Sequence, residues 1–318
     1  MAPFKSTQSF SVGTFLKTFR NRDAVGPSAL NTTIRTDNRP RFRVSGGNAE
    51  LEPGNGYKYH IFTSPGTLAV TQLFPATKTV DYLVVAGGGA GGNYPGSNGG
   101  YGEDSSFGSF VAAGGGGGGA RVAGLTGGSG GGSGGNNIAG GTGNLFNPSS
   151  PRHPSPAPGQ GNNGAPSPAY AGGGGGGAGA AASGKNGGRG IAAFSGDTGI
   201  PSLYGDDGPS AGRWFAGGGG GEGNIGGPSG SGGAGGGGNA NGAADPVNGS
   251  ANTGGGGGAK DPLDNASYGA GGGGAGGFLT GTTPASLGNT PIVIGDGGTV
   301  SEPAGDGGSG IVIIKYSV

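Results

Sequence analysis

The sequence holds no cysteine, one methionine, one tryptophan and two histidines in 318 residues. Without thiols there is no disulfide framework, no cysteine nucleophile and no cysteine-ligated zinc or iron–sulfur centre. The histidines, His60 and His153, are too few for most metal or acid–base constellations. Long apolar runs are missing too. Nothing approaches the roughly 18 residues of a membrane helix, and the opening MAPFKSTQSF has no apolar stretch of the secretory kind. Net charge is zero, with 17 basic and 17 acidic side chains, so no global charge selects a partner or holds the chain open. These absences argue against an enzyme, a bound cofactor and membrane insertion.

Glycine and proline dominate what is present, at 91 and 22 residues, while all hydrophobic types reach 31%. Large aliphatic residues are too scarce for a helical bundle or a doubly wound α/β fold. They are also uneven: dense before residue 125, sparse over 126–278, and dense again from 279. Four regions follow. Residues 1–45 form a basic arm, 46–125 a β module, 126–278 a glycine-rich middle, and 279–318 the strands that complete the module.

The arm carries Lys5, Lys17, Arg20, Arg22, Arg35, Arg39, Arg41 and Arg43 against Asp23 and Asp37, while the rest of the chain is net acidic. Phe15, Leu16 and Phe19 fall at helical spacing before Gly26-Pro27, which predicts one short amphipathic helix. Phe4 and Phe10 add apolar anchors, so Phe4, Phe10, Phe15, Leu16, Phe19, Arg20 and Arg22 read as a docking face. A merely basic, disordered tail is the plainer alternative. Nucleic-acid binding would favour stacking aromatics or a folded reading module, whereas the Phe residues of the arm stand at anchor-like spacing instead.

Strands are expected from Gly54 onward. YKYHIFT alternates, with Tyr57, Tyr59 and Ile61 on one face and Lys58, His60 and Phe62 on the other. TLAVTQL follows a Ser-Pro-Gly turn. TVDYLVVA (79–86) and GIVIIKY (310–316) become apolar on both faces, as strands buried on both sides do. The expectation is that these two share a sheet and the glycine-rich middle is an excursion between them.

Uninterrupted glycine runs occupy 114–119, 172–177, 217–221, 235–238, 254–258 and 271–274. They lack the Gly-X-Y period of collagen. Flexible linkers need no repeated lead-in, yet several runs follow a large residue and alanine, as at Tyr170-Ala and Trp214-Phe-Ala. A polyproline-II-like helix of glycine has three residues per turn and no internal hydrogen bonds, so neighbouring helices, unobstructed by Cβ atoms, can bond one another all round. The expected fold is therefore all-β with a polyglycine-II-like bundle inserted between strands, and little α-helix outside the arm.

VDYLVVAGGGAGG at 80–92, preceded by YKYHIFT and followed by GGSGIVIIKY at 307–316, resembles the glycine-rich domain of phage tail-fibre proteins, especially marine ones. The middle resembles, by composition, the polyglycine-sandwich adhesins of T-even-like phages. The resemblance implies a virion structural protein exposed on the particle's exterior, whether tail or capsid. It would dock on other virion proteins through the arm, display the glycine-rich domain toward a host receptor (a glycan or an outer-membrane protein), and form a homo-oligomer. Capsid decoration or a connector without receptor binding is the competing expectation. Receptor-contacting candidates are Tyr94, Tyr101, Phe146, Tyr204 and Trp214, aromatics in stretches rich in Ser, Gly and Asn; capping of the glycine runs is the plainer role, favoured for Trp214, Phe215 and Tyr170.

Remaining motifs are weak. Gly87-x-Gly89-x-x-Gly92 matches a dinucleotide fingerprint, but the NYPGSNGGYGE that follows cannot supply the required helix. Ser183-Gly184-Lys185-Asn186 lacks the P-loop hydroxyl. Asp-Gly turns at 206–208, 295–298 and 305–308 do not have calcium-loop spacing.

Overall fold

The computed structural model describes residues 41–93, 97–146, 159–168, 170–223, 227–240, 246–260, 269–301 and 303–318. These belong to the compact unit Arg41–Val318. The docking-face residues of the arm lie outside the described residues, as do Tyr94 and His153. The unit begins earlier than the arm's expected end, because Arg43–Ser45 is already a strand.

The described part of the chain is nearly all β. In chain order the strands are β1 (Arg43–Ser45), β2 (Ala49–Leu51), β3 (Tyr57–Phe62), β4 (Gly66–Gln72), β5 (Thr79–Val85), β6 (Ser105–Phe107), β7 (Phe110–Ala112), β8 (Ile191–Ala192), β9 (Trp214–Phe215), β10 (Phe278–Pro284), β11 (Gly288–Val293) and β12 (Ile311–Ser317). One antiparallel sheet has the order β1-β4-β11-β6-β7, the other β10-β5-β12-β3-β2, and β8 pairs with β9 alone. The strands of 79–86 and 310–316 are immediate neighbours, with Ile311 opposite Val85 and Ile313 opposite Leu83. The short strands β6 to β9 were not legible as strands, being two or three residues each.

The two sheets pack face to face. Phe62, Val84, Val312 and Ile314 from one meet Leu68, Phe107 and Ile292 from the other. The opposite face of the β5–β12–β3 sheet is buried as well: Tyr59, Ile61, Leu83, Val85, Ile311 and Ile313 cover Ala193, Ile200, Phe215 and Ala275 of the glycine-rich region. Strands buried on both faces must be apolar on both faces, which is why VVA and IVII break the alternation. Each large side chain so buried contributes about 1.5–3 kcal/mol.

His60 is fully buried on this sheet. Its Nδ1 lies 2.7 Å from the Gly46 carbonyl oxygen, so that nitrogen carries the proton, and Nε2 is 3.1 Å from the Tyr316 hydroxyl, which donates to it. Burial depresses the His60 pKa below its ordinary value, against smaller opposing effects of the Gly46 carbonyl and Glu50. The sign follows: the unfolded chain takes up a proton near pH 6.5 and the folded chain resists it, so stability is present above that pH and falls as pH drops. A urea midpoint that declines from pH 7 to pH 5, and a flatter profile for His60→Leu, are the expected results.

The glycine segments contain almost no side chain to bury, and their backbone groups find partners in a regular order. Along 86–92, Gly87 and Ala90 donate to Glu103 and Gly100, Gly88 and Gly91 to Gly308 and Gly305, and Gly89 and Gly92 to Gly274 and Gly271, at 2.8–3.0 Å. Carbonyls of the same segment accept from Gly115 and Gly118, and from Gly257 and Lys260. Segment 271–276 repeats the pattern: Gly271 and Gly274 donate to Gly119 and Gly116, Gly272 and Ala275 to Gly173 and Gly176, and Gly273 and Gly276 to Gly257 and Gly254. Every third residue returns to the same neighbour.

Candidate functional site

The pairing order fixes which way each segment runs. Segment 86–92 leaves β5, and 113–119 and 254–260 run alongside it, while 271–277 and 305–310 return to β10 and β12. One end of every segment therefore meets the sandwich. The other ends form a far face that includes the exposed Asn98, Arg121, Val122, Asn137, Tyr170 and Ser301, alongside the buried Asn93, Ser167 and Lys260.

Side chains at that face hold the segment ends to one another. Asn93 donates from Nδ2 to the Ser301 carbonyl at 3.1 Å, and Asn98 Oδ1 accepts from the Ala120 amide at 2.9 Å. Ser167 Oγ accepts from the Ile138 amide at 3.0 Å. The Gly134 amide donates to the Val122 carbonyl and the Gly135 amide to the Gly269 carbonyl, both at 3.1 Å, which links the Arg121 turn to the neighbourhood of Tyr170. Arg121 and Tyr170 occupy left-handed backbone, at φ 65° and 62°. Such conformations disfavour an arginine or a tyrosine, and glycine is plentiful in this chain. Tyr170 is nonetheless 49% exposed, so about half of its surface remains open to solvent.

The sequence-derived aromatic candidates do not gather here. Trp214 is 6% exposed in β9, its Nε1–H donating to the Ser210 carbonyl, and Phe146 is 7% exposed against Ala113 and Val111. Both sit at the sandwich end, where the glycine segments leave room for a large ring, so neither offers a receptor a surface. Tyr204 packs half-buried against the cluster that contains Phe215 in the same region. Tyr101 is half-buried within segment 97–104. Capping, the plainer role, suits the buried Trp214 and Phe215, while Tyr170 keeps about half of its surface exposed. The signal for Tyr170 and Arg121 was present in the sequence: each is the bulky residue at the outer end of a glycine run, before 172–177 and after 114–119.

Other motifs are absorbed by structure. The amides of Gly87, Gly88, Gly89, Gly91 and Gly92 all donate to other segments, leaving none of these glycines to cradle a phosphate. Lys185 donates to the Pro228 carbonyl. Asp206 accepts from the amides of Asp207 and Gly236, Asp207 pairs with Arg213, and Asp306 accepts from the Val300 amide. Among the described residues no cluster of His, Asp and Glu has the arrangement of a metal site, and no helix is long and apolar enough to cross a membrane. Comparison with protein-family models, curated proteins and solved structures finds no match to the chain.

Proposed function

We propose that the chain is a structural protein of a phage particle, of tail-fibre or adhesin type, that docks at one pole and presents the far face of its glycine segments to the host surface. The segments themselves we read as polyglycine-II-like helices packed side by side. The return to the same neighbour every third residue supports that reading, since such a helix has three residues per turn. The proposal contains no catalytic step.

The observation that carries the functional reading is polarity. Arg41, where the arm joins the folded unit, lies beside the start of β1 and the end of β12; the segment ends with Arg121 and Tyr170 lie beyond the opposite end of the sandwich. On this reading the chain's junction with the arm and the displayed segment ends belong to opposite ends of the folded unit. Two residues that accept left-handed strain while remaining on the surface are the best contacts for a receptor.

Adsorption decides the matter. Particles carrying Tyr170→Ala together with Arg121→Ala should adsorb to host cells roughly tenfold more slowly, as loss of a contact of the energetically dominant kind does, with unchanged melting of the purified protein. Unchanged adsorption would make the protein decoration or a connector, and labelling of intact particles would then locate it away from fibre tips.

A further inference from the structure

A second feature lies at the pole opposite the far face. An open cleft of about 730 Å³ separates the edge of β1 and β4 from the ends of β3 and β12. Arg41, Arg43, Lys58 and Lys78 line it, together with Phe42 and Phe74. Glu52 lines it too, and Lys58 is paired with Glu50, so the balance stays positive after these two acids are counted. Lys78 is held rigid, donating to the Ser317 carbonyl and to Ser317 Oγ, the latter at 2.9 Å, with its ammonium 5.6 Å from the Phe42 ring centre. Phe42 is fixed in turn by an edge contact with Tyr316 at 4.8 Å. Phe74 is 53% exposed at the rim. Beside these groups runs β1, terminal in its sheet and paired only with β4 among the described residues.

We infer that this cleft takes an extended acidic peptide segment of a neighbouring protein, laid along β1 with its carboxylates toward Arg43 and Lys78 and an apolar side chain on Phe74. Three features converge on that occupant: a sheet edge that can accept a strand, cations brought together from β1, β3 and the loop before β5, and an exposed aromatic ring between them. A compact anion would leave most of the volume and the aromatic rim unused. A purely apolar peptide would take water from Arg43 and the open side of Lys78 and offer no charge in exchange. The inference rests on the reading that this pole faces the particle, and it adds a partner chemistry that the arm alone does not specify.

The test uses the full-length protein and a fluorescein-labelled eight-residue peptide alternating Glu with Val and Phe. Saturable binding is expected, weakened roughly tenfold or more by the double variant Arg43→Glu, Phe74→Ala, steeply reduced by added salt, and unaffected by Arg189→Glu on a distant exposed surface. The matching peptide with Gln for Glu should bind far more weakly. Absence of binding, equal binding of the Gln peptide, or stronger binding of a sulfated oligosaccharide of similar length would each overturn the inference. Circular dichroism and melting of the double variant guard against misfolding; should it melt early, Arg43→Glu alone carries the test. The measurement does not involve host cells, so it can fail while the adsorption result stands, and the reverse.

Discussion

Replacing Gly273 by alanine should leave little or no folded protein. A Cβ on Gly273 would lie 2.0 Å from the Gly89 carbonyl oxygen and 2.7 Å from its carbon, both main-chain atoms that cannot rotate aside. The segments cannot part without loss, because Gly273 donates to Gly257, Gly219 donates to Gly273, and Gly257 donates to Gly89, all at 2.8–2.9 Å. Overpacking alone costs about 1–3 kcal/mol, and each buried amide or carbonyl left unpaired adds about 1–3 kcal/mol more. The sum is a large part of the roughly 5–15 kcal/mol by which folded domains are stable. Gly175→Val should behave the same way, since its Cβ would meet the Gly273 carbonyl oxygen at 1.9 Å. Gly66→Ala is the control: its nearest neighbour would be the Phe62 ring at 3.4 Å, an ordinary contact. Soluble yield and thermal melting report the difference. Normal melting of Gly273→Ala would refute close backbone packing as the source of stability.

The second large effect is expected at Asp197. Its Oδ2 accepts from the Lys315 ammonium and from the Tyr59 hydroxyl, the latter at 2.9 Å, while Oδ1 accepts from the Gly199 amide at 2.7 Å. The ammonium lies 4.1 Å from the Tyr57 ring centre and 5.2 Å from that of Phe194. Both charged side chains are only 10% exposed. Asp197→Ala leaves the Lys315 charge buried without its counter-ion, a change that costs about 3–5 kcal/mol at buried pairs; with this residual exposure the lower end is expected. Asp197→Leu combined with Lys315→Met should recover most of the loss, because both charges then leave together. Urea denaturation of the single and double variants measures it, and equal losses in both would show that the pair is not what matters.

The same cluster sets pH limits. Burial pushes the Asp197 carboxyl up, but hydrogen bonds from Lys315, Gly199 and Tyr59 outweigh it and hold the group below its ordinary value of 3.8. Its contribution is therefore present above pH 3.8 and lost as pH falls through the lower folded value. Burial, with the neighbouring Asp197 charge assisting, raises the Tyr59 phenol to about 12, although the Asn55 amide opposes the shift. Ionisation in the unfolded chain begins near pH 10, so that contribution is lost between pH 10 and about 12.

Strand-forming sequence made β3, β5 and β12 legible. Their β-branched and aromatic runs prefer the pleated backbone, and loss of alternation in VVA and IVII marked burial on two faces. Lys315 was not legible as a partner, since Asp197 is 118 positions away and sits in a turn that no periodicity announces. Phe146 and Trp214 were placed among receptor contacts on the strength of polar, glycine-rich surroundings. Such surroundings describe the neighbours in sequence, and the ring fills whatever space the neighbours in space leave open. Tyr170 shows the converse: a residue beside a glycine run that the packed segments leave about half exposed.

Composition alone determined that this chain could not rest on one conventional core, and that its glycine runs must satisfy their own amides and carbonyls by pairing with other backbone. It also determined the sheet at the two ends of the excursion, because the apolar residues are concentrated there. Which run bonds to which was decided only in three dimensions. Glycine carries no side chain to tell one partner from another, so every run is locally compatible with every other. The order of segments, and with it the membership of the far face, depends on how the strands and the buried rings of Phe215, Trp214 and Phe146 anchor the segment ends. Side chains select the arrangement at the margins, and the backbone then holds it.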